Sequence, residues 1–133
     1  MGERQPEVYG TQTLDQINNE LESLGSKRGV RIECFQSNHE GVLIDKIHSV
    51  RNQIRGFIFN PAAYTHTSIA LRDAVISVDK PMVEVHLSDI TKREAFRNHS
   101  YFTDLALKTF MGERTKSYTD ALEFLINHLK NSL

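Results

Sequence analysis

The pattern that most constrains this chain is a pair of short apolar runs, each set between helical patterns and each ending in a polar stretch. Gly56-Phe57-Ile58-Phe59 leads into Asn60-Pro61-Ala62-Ala63-Tyr64-Thr65-His66-Thr67-Ser68. Met82-Val83 opens a second run that closes as Glu84-Val85-His86-Leu87-Ser88, ahead of Arg93 and Arg97. Apolar runs this short between helices read as buried strands of a parallel sheet, whose two faces are both covered. Open sheets of this kind bind ligands beyond the carboxyl ends of their strands. The two polar stretches therefore fall where such a fold keeps its chemistry, and their groups suit a small polyhydroxylated anion.

The rest of the chain fits this alternation. Residues 2–10 are polar, contain Pro6 and read as a loop. Thr13-Leu14-Asp15-Gln16 has the spacing of a capping box, with Thr13 as N-cap and Gln16 reaching back. Leu14, Ile17, Leu21 and Leu24 then keep helical spacing, and Gly25 is the expected stop. Val30, Ile32 and Cys34 alternate with Arg31 and Glu33, which marks a strand. After the turn Gln36–Gly41, Leu43, Ile44, Ile47 and Val50 define a helix, and Ile69, Leu71 and Val75 define another. A short helix holding Arg93 and Arg97 on one face is expected, then a terminal helix through Leu122, Leu125, Ile126 and Leu129. Strand–helix–strand crossovers of this kind imply a parallel sheet with helices on both faces.

Length and charge narrow the function classes. At 133 residues the chain is expected to be one domain, 1–133, able to bury roughly two-thirds of its unfolded surface. Sixteen basic residues against 17 acidic ones leave no global field for a polyanion, and no RNP-type signature argues for nucleic acid. Cys34 is the sole cysteine, so no intrachain disulfide forms, and its place on the apolar parity makes it small core filler. No stretch reaches the roughly 20 apolar residues that span a bilayer, and residues 1–5 have no secretory apolar region. A cytoplasmic enzyme or binding protein is the expectation.

Four blocks, in order and at matching spacing, carry a resemblance. They are Gly2-Glu3-Arg4-Gln5-Pro6-Glu7-Val8-Tyr9-Gly10, then Gln36 through Asp45, then Asn60 through Asp73, and finally Glu84–Ser88 with Arg93–Ser100. Together the chain resembles the type II 3-dehydroquinate dehydratases over nearly its whole length. The resemblance implies a flavodoxin-like, doubly wound α/β/α fold and dehydration of 3-dehydroquinate to 3-dehydroshikimate without metal or organic cofactor. It implies use in shikimate synthesis or quinate catabolism, and assembly as a homododecamer built from trimers.

It also implies roles. Tyr9 matches the base that takes a proton from carbon 2, and Arg4 the lid arginine beside it. A tyrosine of ordinary pKa, about 10, is little ionised at neutral pH, so a neighbouring cation is needed to favour the phenolate. His86 matches the general acid that protonates the departing hydroxyl, a task suited to an imidazole. Glu84, two residues earlier on the same strand face, is placed to orient or recharge that ring. Asn60, His66, Leu87, Ser88 and Arg97 match the grip on the substrate's carboxylate and hydroxyls, and Arg93 is a weaker candidate, for ordering the site or subunit contacts. Asp73 matches an aspartate that reaches an adjacent subunit's site. The bland alternatives are a packed surface tyrosine, a hydrogen-bonded core histidine, hydroxyls of Thr65, Thr67 and Ser68 that cap a helix, and an Asp73 paired with Arg72. The family reaction is a stepwise anti elimination through an enolate, so base and acid stand on opposite faces of the ring.

Members of the family open with an apolar strand and an asparagine-rich turn ahead of the position of Met1-Gly2, and this sequence has neither. Either the start at Met1 is too late, or this is a degraded member whose sheet lacks its first, central strand, which leaves backbone groups open on two neighbours and impairs folding. Ala62 also stands where glycine is frequent. A second reading is therefore a catalytically silent ligand-binding or assembly subunit that keeps the pocket. A metal-hydrolase site from His39, His66, Glu84 and His86 lacks close ligand spacing such as H-x-x-x-H.

Overall fold

The computed structural model describes residues 13–87 and 100–131, without the side chains of Ala63 and His66. In it, Phe57–Phe59 (β1), Met82–His86 (β2) and Lys108–Met111 (β3) form a parallel sheet in the order β1-β2-β3. Helices Leu14–Lys27 (α1), Glu40–Val50 (α2), Ile69–Val78 (α3) and Lys116–Asn131 (α4) cover it. Side chains alternate across a strand, and here the alternation sorts the layers. Phe57, Phe59 and Met82 join Leu43, Ile44 and Ile47 of α2 and Leu71 and Val75 of α3 in one cluster, closed by Phe102. Ile58, Val83 and Val85 pack the other way, against Ala121, Leu122 and Leu125 of α4 and, through α4, against Ile17 and Leu21 of α1. This is the expected three-layer α/β/α arrangement. Both faces of β2 are buried along its whole length, which accounts for its apolar reading and singles out Glu84 and His86 as buried polar groups.

Four local expectations need correction. Helix α1 does start on the capping box: Thr13 Oγ1 accepts from the Gln16 N–H at 3.2 Å and Gln16 Oε1 accepts from the Thr13 N–H at 2.8 Å. Yet it runs past Gly25 to Lys27, and the chain leaves the helix at Gly29, with φ 74°. Val30 N–H donates to Gly25 C=O at 2.8 Å and Gly29 N–H to Ser26 C=O at 3.2 Å, the paired bonds of a Schellman stop. Gly25 is a packing glycine instead, since a Cβ there would lie 2.4 Å from Ile32 Cγ1.

The second correction concerns Val30–Cys34. Exposure alternates as a strand's would, with Val30, Ile32 and Cys34 half-buried and Arg31 and Glu33 exposed. No ladder forms, because among the described residues no strand lies beside it. Burial, then the charges of Glu22 and Glu33, push the half-buried Cys34 thiol up in pKa, which disfavours a reactive thiolate.

Third, Ile69 faces outward at 60% exposure, and the apolar face of α3 is Leu71, Ala74, Val75 and Val78. Fourth, β3 escaped the sequence reading. It is an edge strand with an exposed Lys108 and half-buried Thr109, Phe110 and Met111, so no clean apolar run announces it. The loop of residues 2–10 and the short helix around Arg93 and Arg97 lie outside the described residues. Among those residues, no helix is long and apolar enough to cross a membrane.

Candidate active site

The carboxyl ends of β1 and β2 lie side by side, with Phe59 paired to Glu84. Just beyond that pairing each strand carries chemistry: Asn60 follows β1, His86 is the last residue of β2, and Leu87 follows it. Parallel pairing thus brings the two polar stretches to one rim of the sheet, where such folds bind ligands.

Asn60 is half-buried and partly committed. Its Oδ1 accepts from the Ala62 N–H at 2.9 Å, and its Nδ2 donates to the Tyr118 hydroxyl at 2.8 Å. An amide has two donor hydrogens and two acceptor lone pairs, so one of each is left for a ligand. The turn that follows is a 3₁₀ segment, Ala62–His66, entered with Ala62 at φ 51°. Thr65 Oγ1 donates back to Ala62 C=O at 2.6 Å, and Tyr64 Oη donates to Asn38 C=O at 2.9 Å. Ser68 caps α3 by accepting from the Leu71 N–H at 3.0 Å, and it also donates to Glu40. The hydroxyls of Thr65 and Ser68 are therefore structural. His66 belongs to this turn, which sets its backbone at the site's rim.

The centre of the site is Glu84. Its side chain is fully buried and accepts from four groups. Oε2 takes the Ser100 hydroxyl at 2.5 Å and faces His86 Nε2 at 2.6 Å; Oε1 takes the hydroxyls of Thr103 at 2.7 Å and Thr109 at 2.9 Å. Burial alone would raise this carboxyl's pKa. The hydrogen bonds from His86, Ser100 and Thr103, with the charge on His86, outweigh it and hold the pKa at about 2. Glu84 is thus an anion at working pH and can only accept. The proton between it and His86 therefore sits on Nε2, and Nδ1 is the ring nitrogen left for exchange with a ligand. His86 itself is 5% exposed.

Three of the four partners of Glu84 had no role in the sequence reading. Ser100 closed a recognised block, but Thr103 lies on a second 3₁₀ turn, Thr103–Leu105, and Thr109 is the residue of β3 in register with Glu84. Register is a tertiary fact, and no local spacing announces it. Arg72 of α3 steadies the turn: its guanidinium pairs with both carboxylate oxygens of Asp104, at 2.6 and 2.8 Å, and donates to Tyr101 C=O at 2.6 Å. Arg72 thus turns to Asp104, whereas Asp73 beside it is exposed on α3. Tyr118, at the start of α4, was likewise unread. Leu87 is buried, and its carbonyl accepts from the Arg114 N–H at 3.0 Å. Arg4, Tyr9, Ser88, Arg93 and Arg97 lie outside the described residues. Among the described residues no three His, Cys, Asp or Glu side chains form a metal-holding group.

A buried Glu–His pair at the rim of a parallel sheet, with an amide beside it, is a frame for proton transfer to a small polar ligand. A family model described as dehydroquinase class II matches residues 1–126. The chain belongs to the class II dehydroquinases. It is 51% identical over 129 residues to a 3-dehydroquinate dehydratase of Ruegeria pomeroyi, covering 97% of this chain and 87% of that one. It is 45% identical over 130 residues to a catabolic 3-dehydroquinase of Verticillium alfalfae, covering 98% and 87%. The crystal structure of a type II dehydroquinase from Butyrivibrio crossotus superposes with a TM-score of 0.87 at 35% identity, over 95% of this chain and 88% of that one. As a class II dehydroquinase the chain carries the family's α/β architecture, and the Glu84–His86 pair is at the rim of that sheet.

Proposed function

We propose that this chain is a 3-dehydroquinate dehydratase, a hydro-lyase that converts 3-dehydroquinate to 3-dehydroshikimate and water in the shikimate pathway or quinate catabolism. The observation that carries the reading is the buried Glu84–His86 pair at the carboxyl end of β2, with the Asn60 amide at the end of the neighbouring strand. Relatives named for this activity or for its catabolic form, at 45–51% identity, support it.

In this reading Tyr9, its phenolate favoured by Arg4, removes a proton from carbon 2. The charge that develops on the carbonyl oxygen as the enolate forms is met by preorganised donors. His86 then gives a proton to the departing hydroxyl from Nδ1, while Nε2 stays bound to Glu84. Asn60, His66, the Leu87–Ser88 segment and Arg97 hold the carboxylate and hydroxyls of the ring, and Arg93 orders the site or the subunit contacts. Asp73, exposed on α3, reaches the site of an adjacent subunit in a dodecamer built from trimers, and the enzyme works in the cytoplasm.

The product is a conjugated enone, so the test is a rise in its ultraviolet absorbance when purified protein meets 3-dehydroquinate. Turnover that is lost in Tyr9→Phe and in His86→Ala, both still folded, is the expected result. A well-folded protein that binds 3-dehydroquinate without turning it over would replace this reading with a ligand-binding or assembly subunit.

A further inference from the structure

Glu84 is anchored by more than the histidine it serves. The Thr109 hydroxyl reaches its Oε1 from the adjacent strand, 2.9 Å away, and the Thr103 hydroxyl reaches the same oxygen from the 3₁₀ turn at 2.7 Å. On Oε2, Ser100 donates at 2.5 Å while its own oxygen accepts from the Phe102 N–H at 3.0 Å, so the direction of its proton is fixed. A carboxylate offers about four acceptor positions, and His86 fills the last. Among the described residues no lysine or arginine pairs with Glu84. Among the described residues, neutral hydroxyls thus fix the carboxylate without cancelling its charge. An arginine there would hold the carboxylate equally well but compete with His86 for it.

We propose that Thr103 and Thr109 are positioning residues for the dehydration, acting through Glu84 on His86. They fix the plane of the carboxylate, so that Oε2 points at Nε2 and the ring presents Nδ1 to the leaving hydroxyl. Both hydroxyls donate to Glu84 Oε1, not to the imidazole. Their loss lets the carboxylate turn in its plane and the ring follow, which degrades proton delivery and leaves binding intact. A misplacement of about 1 Å in a catalytic group is enough to cost up to about a hundredfold in rate.

This inference rests on the dehydratase reading, so the experiment has two readouts. The first is steady-state turnover of 3-dehydroquinate by Thr103→Val, Thr109→Val, the double variant and the conservative Thr109→Ser. The second is the ¹H–¹⁵N signal of the His86 Nε2 proton, which is far downfield when it is held against a carboxylate. The expected result is kcat lower by about tenfold in each valine variant and further in the double, by the reasoning on misplacement, with KM within about twofold. Thr109→Ser should restore most of kcat, and the Nε2 signal should shift or broaden in step with kcat. If Thr109→Val does not fold, Thr103→Val carries the same test from an exposed turn.

Folded valine variants with wild-type kcat overturn the proposal. So does a fall in kcat with an unmoved Nε2 signal, or one that serine fails to rescue. If the wild-type protein does not turn over 3-dehydroquinate, the dehydratase reading fails separately. The Nε2 signal then decides alone whether the threonines position His86: a shift in the valine variants keeps the positioning, and no shift ends it.

Discussion

Glu84 Oε2 lies 2.6 Å from His86 Nε2, and neither side chain has more than 5% of its surface exposed. The pair makes folding depend on pH in a defined direction. The carboxyl binds its proton at about 2 in the folded protein, against 4.5 when unperturbed. Between those values the unfolded chain holds more protons, so stability rises with pH across that window. The contribution is fully present above about pH 4.5 and is lost as pH falls towards 2. A shift of this size corresponds to about 3 kcal/mol. Urea unfolding from pH 6 down to pH 2.5 should show this slope in the wild type and a shallower one in Glu84→Gln. Equal slopes would mean that the carboxylate is not held as described.

Removal of the imidazole separates chemistry from fold. In His86→Ala, Glu84 keeps the hydroxyls of Ser100, Thr103 and Thr109, so the buried charge is not stranded. The expected stability loss is about 1–3 kcal/mol, the cost of one deleted partner. Turnover should fall by about 10²–10⁴, the range for a lost general acid. Circular dichroism with steady-state assays of 3-dehydroquinate checks both, and a kcat within a few-fold of wild type would remove His86 from the proton path.

What could be read from the sequence were features that depend on near neighbours along the chain. The Thr13–Gln16 capping box, the buried run of β2 and the apolar face of α4 are all local, and all are present. The parity of Val30, Ile32 and Cys34 was equally legible, but a ladder needs a second strand, and parity carries no information about one. In the site, the resemblance singled out Asn60 and His86, and strand parity added Glu84. Thr109 meets Glu84 only through the register of β2 and β3, and Tyr118 meets Asn60 across 58 residues of chain. The same limit explains Gly25, where propensity reads a helix stop and the deciding contact is with Ile32.

That contact sets the sign of a substitution. Gly25→Ala gains up to about 1 kcal/mol in helix propensity. Its new Cβ would sit 2.4 Å from Ile32 Cγ1 and 3.1 Å from the Val30 carbonyl oxygen, and the latter is backbone that cannot swing away. Val30 is also tied to Gly25 by the Schellman bond, so relief of the clash strains the helix stop. Overpacking of this kind costs about 1–3 kcal/mol. The expected net effect is destabilisation by about 1–2 kcal/mol, seen as a lower urea midpoint at unchanged m-value. A stabilised variant would show that the Val30–Ile32 segment is free to move outward.

The opposite sign is expected at Ala62. Its φ of 51° is in the left-handed region, and it enters the turn just beyond Asn60. An L-residue there carries a cost of about 1–2 kcal/mol that glycine avoids, while glycine adds about 0.4–1 kcal/mol of unfolded-state entropy. The turn is pinned from outside the Ala62 side chain: its N–H donates to Asn60 Oδ1 and its carbonyl accepts from Thr65. The methyl is exposed and packs against little, so its removal forfeits almost no burial. Ala62→Gly should therefore stabilise the protein by about 0.5–1 kcal/mol, raising the melting temperature by about 2–4 °C for a chain of this size. Because Asn60 keeps its bonds to the residue 62 N–H and to the Tyr118 hydroxyl, kcat on 3-dehydroquinate should stay within twofold of wild type. A lower melting temperature would show that the left-handed conformation is not what Ala62 costs this turn.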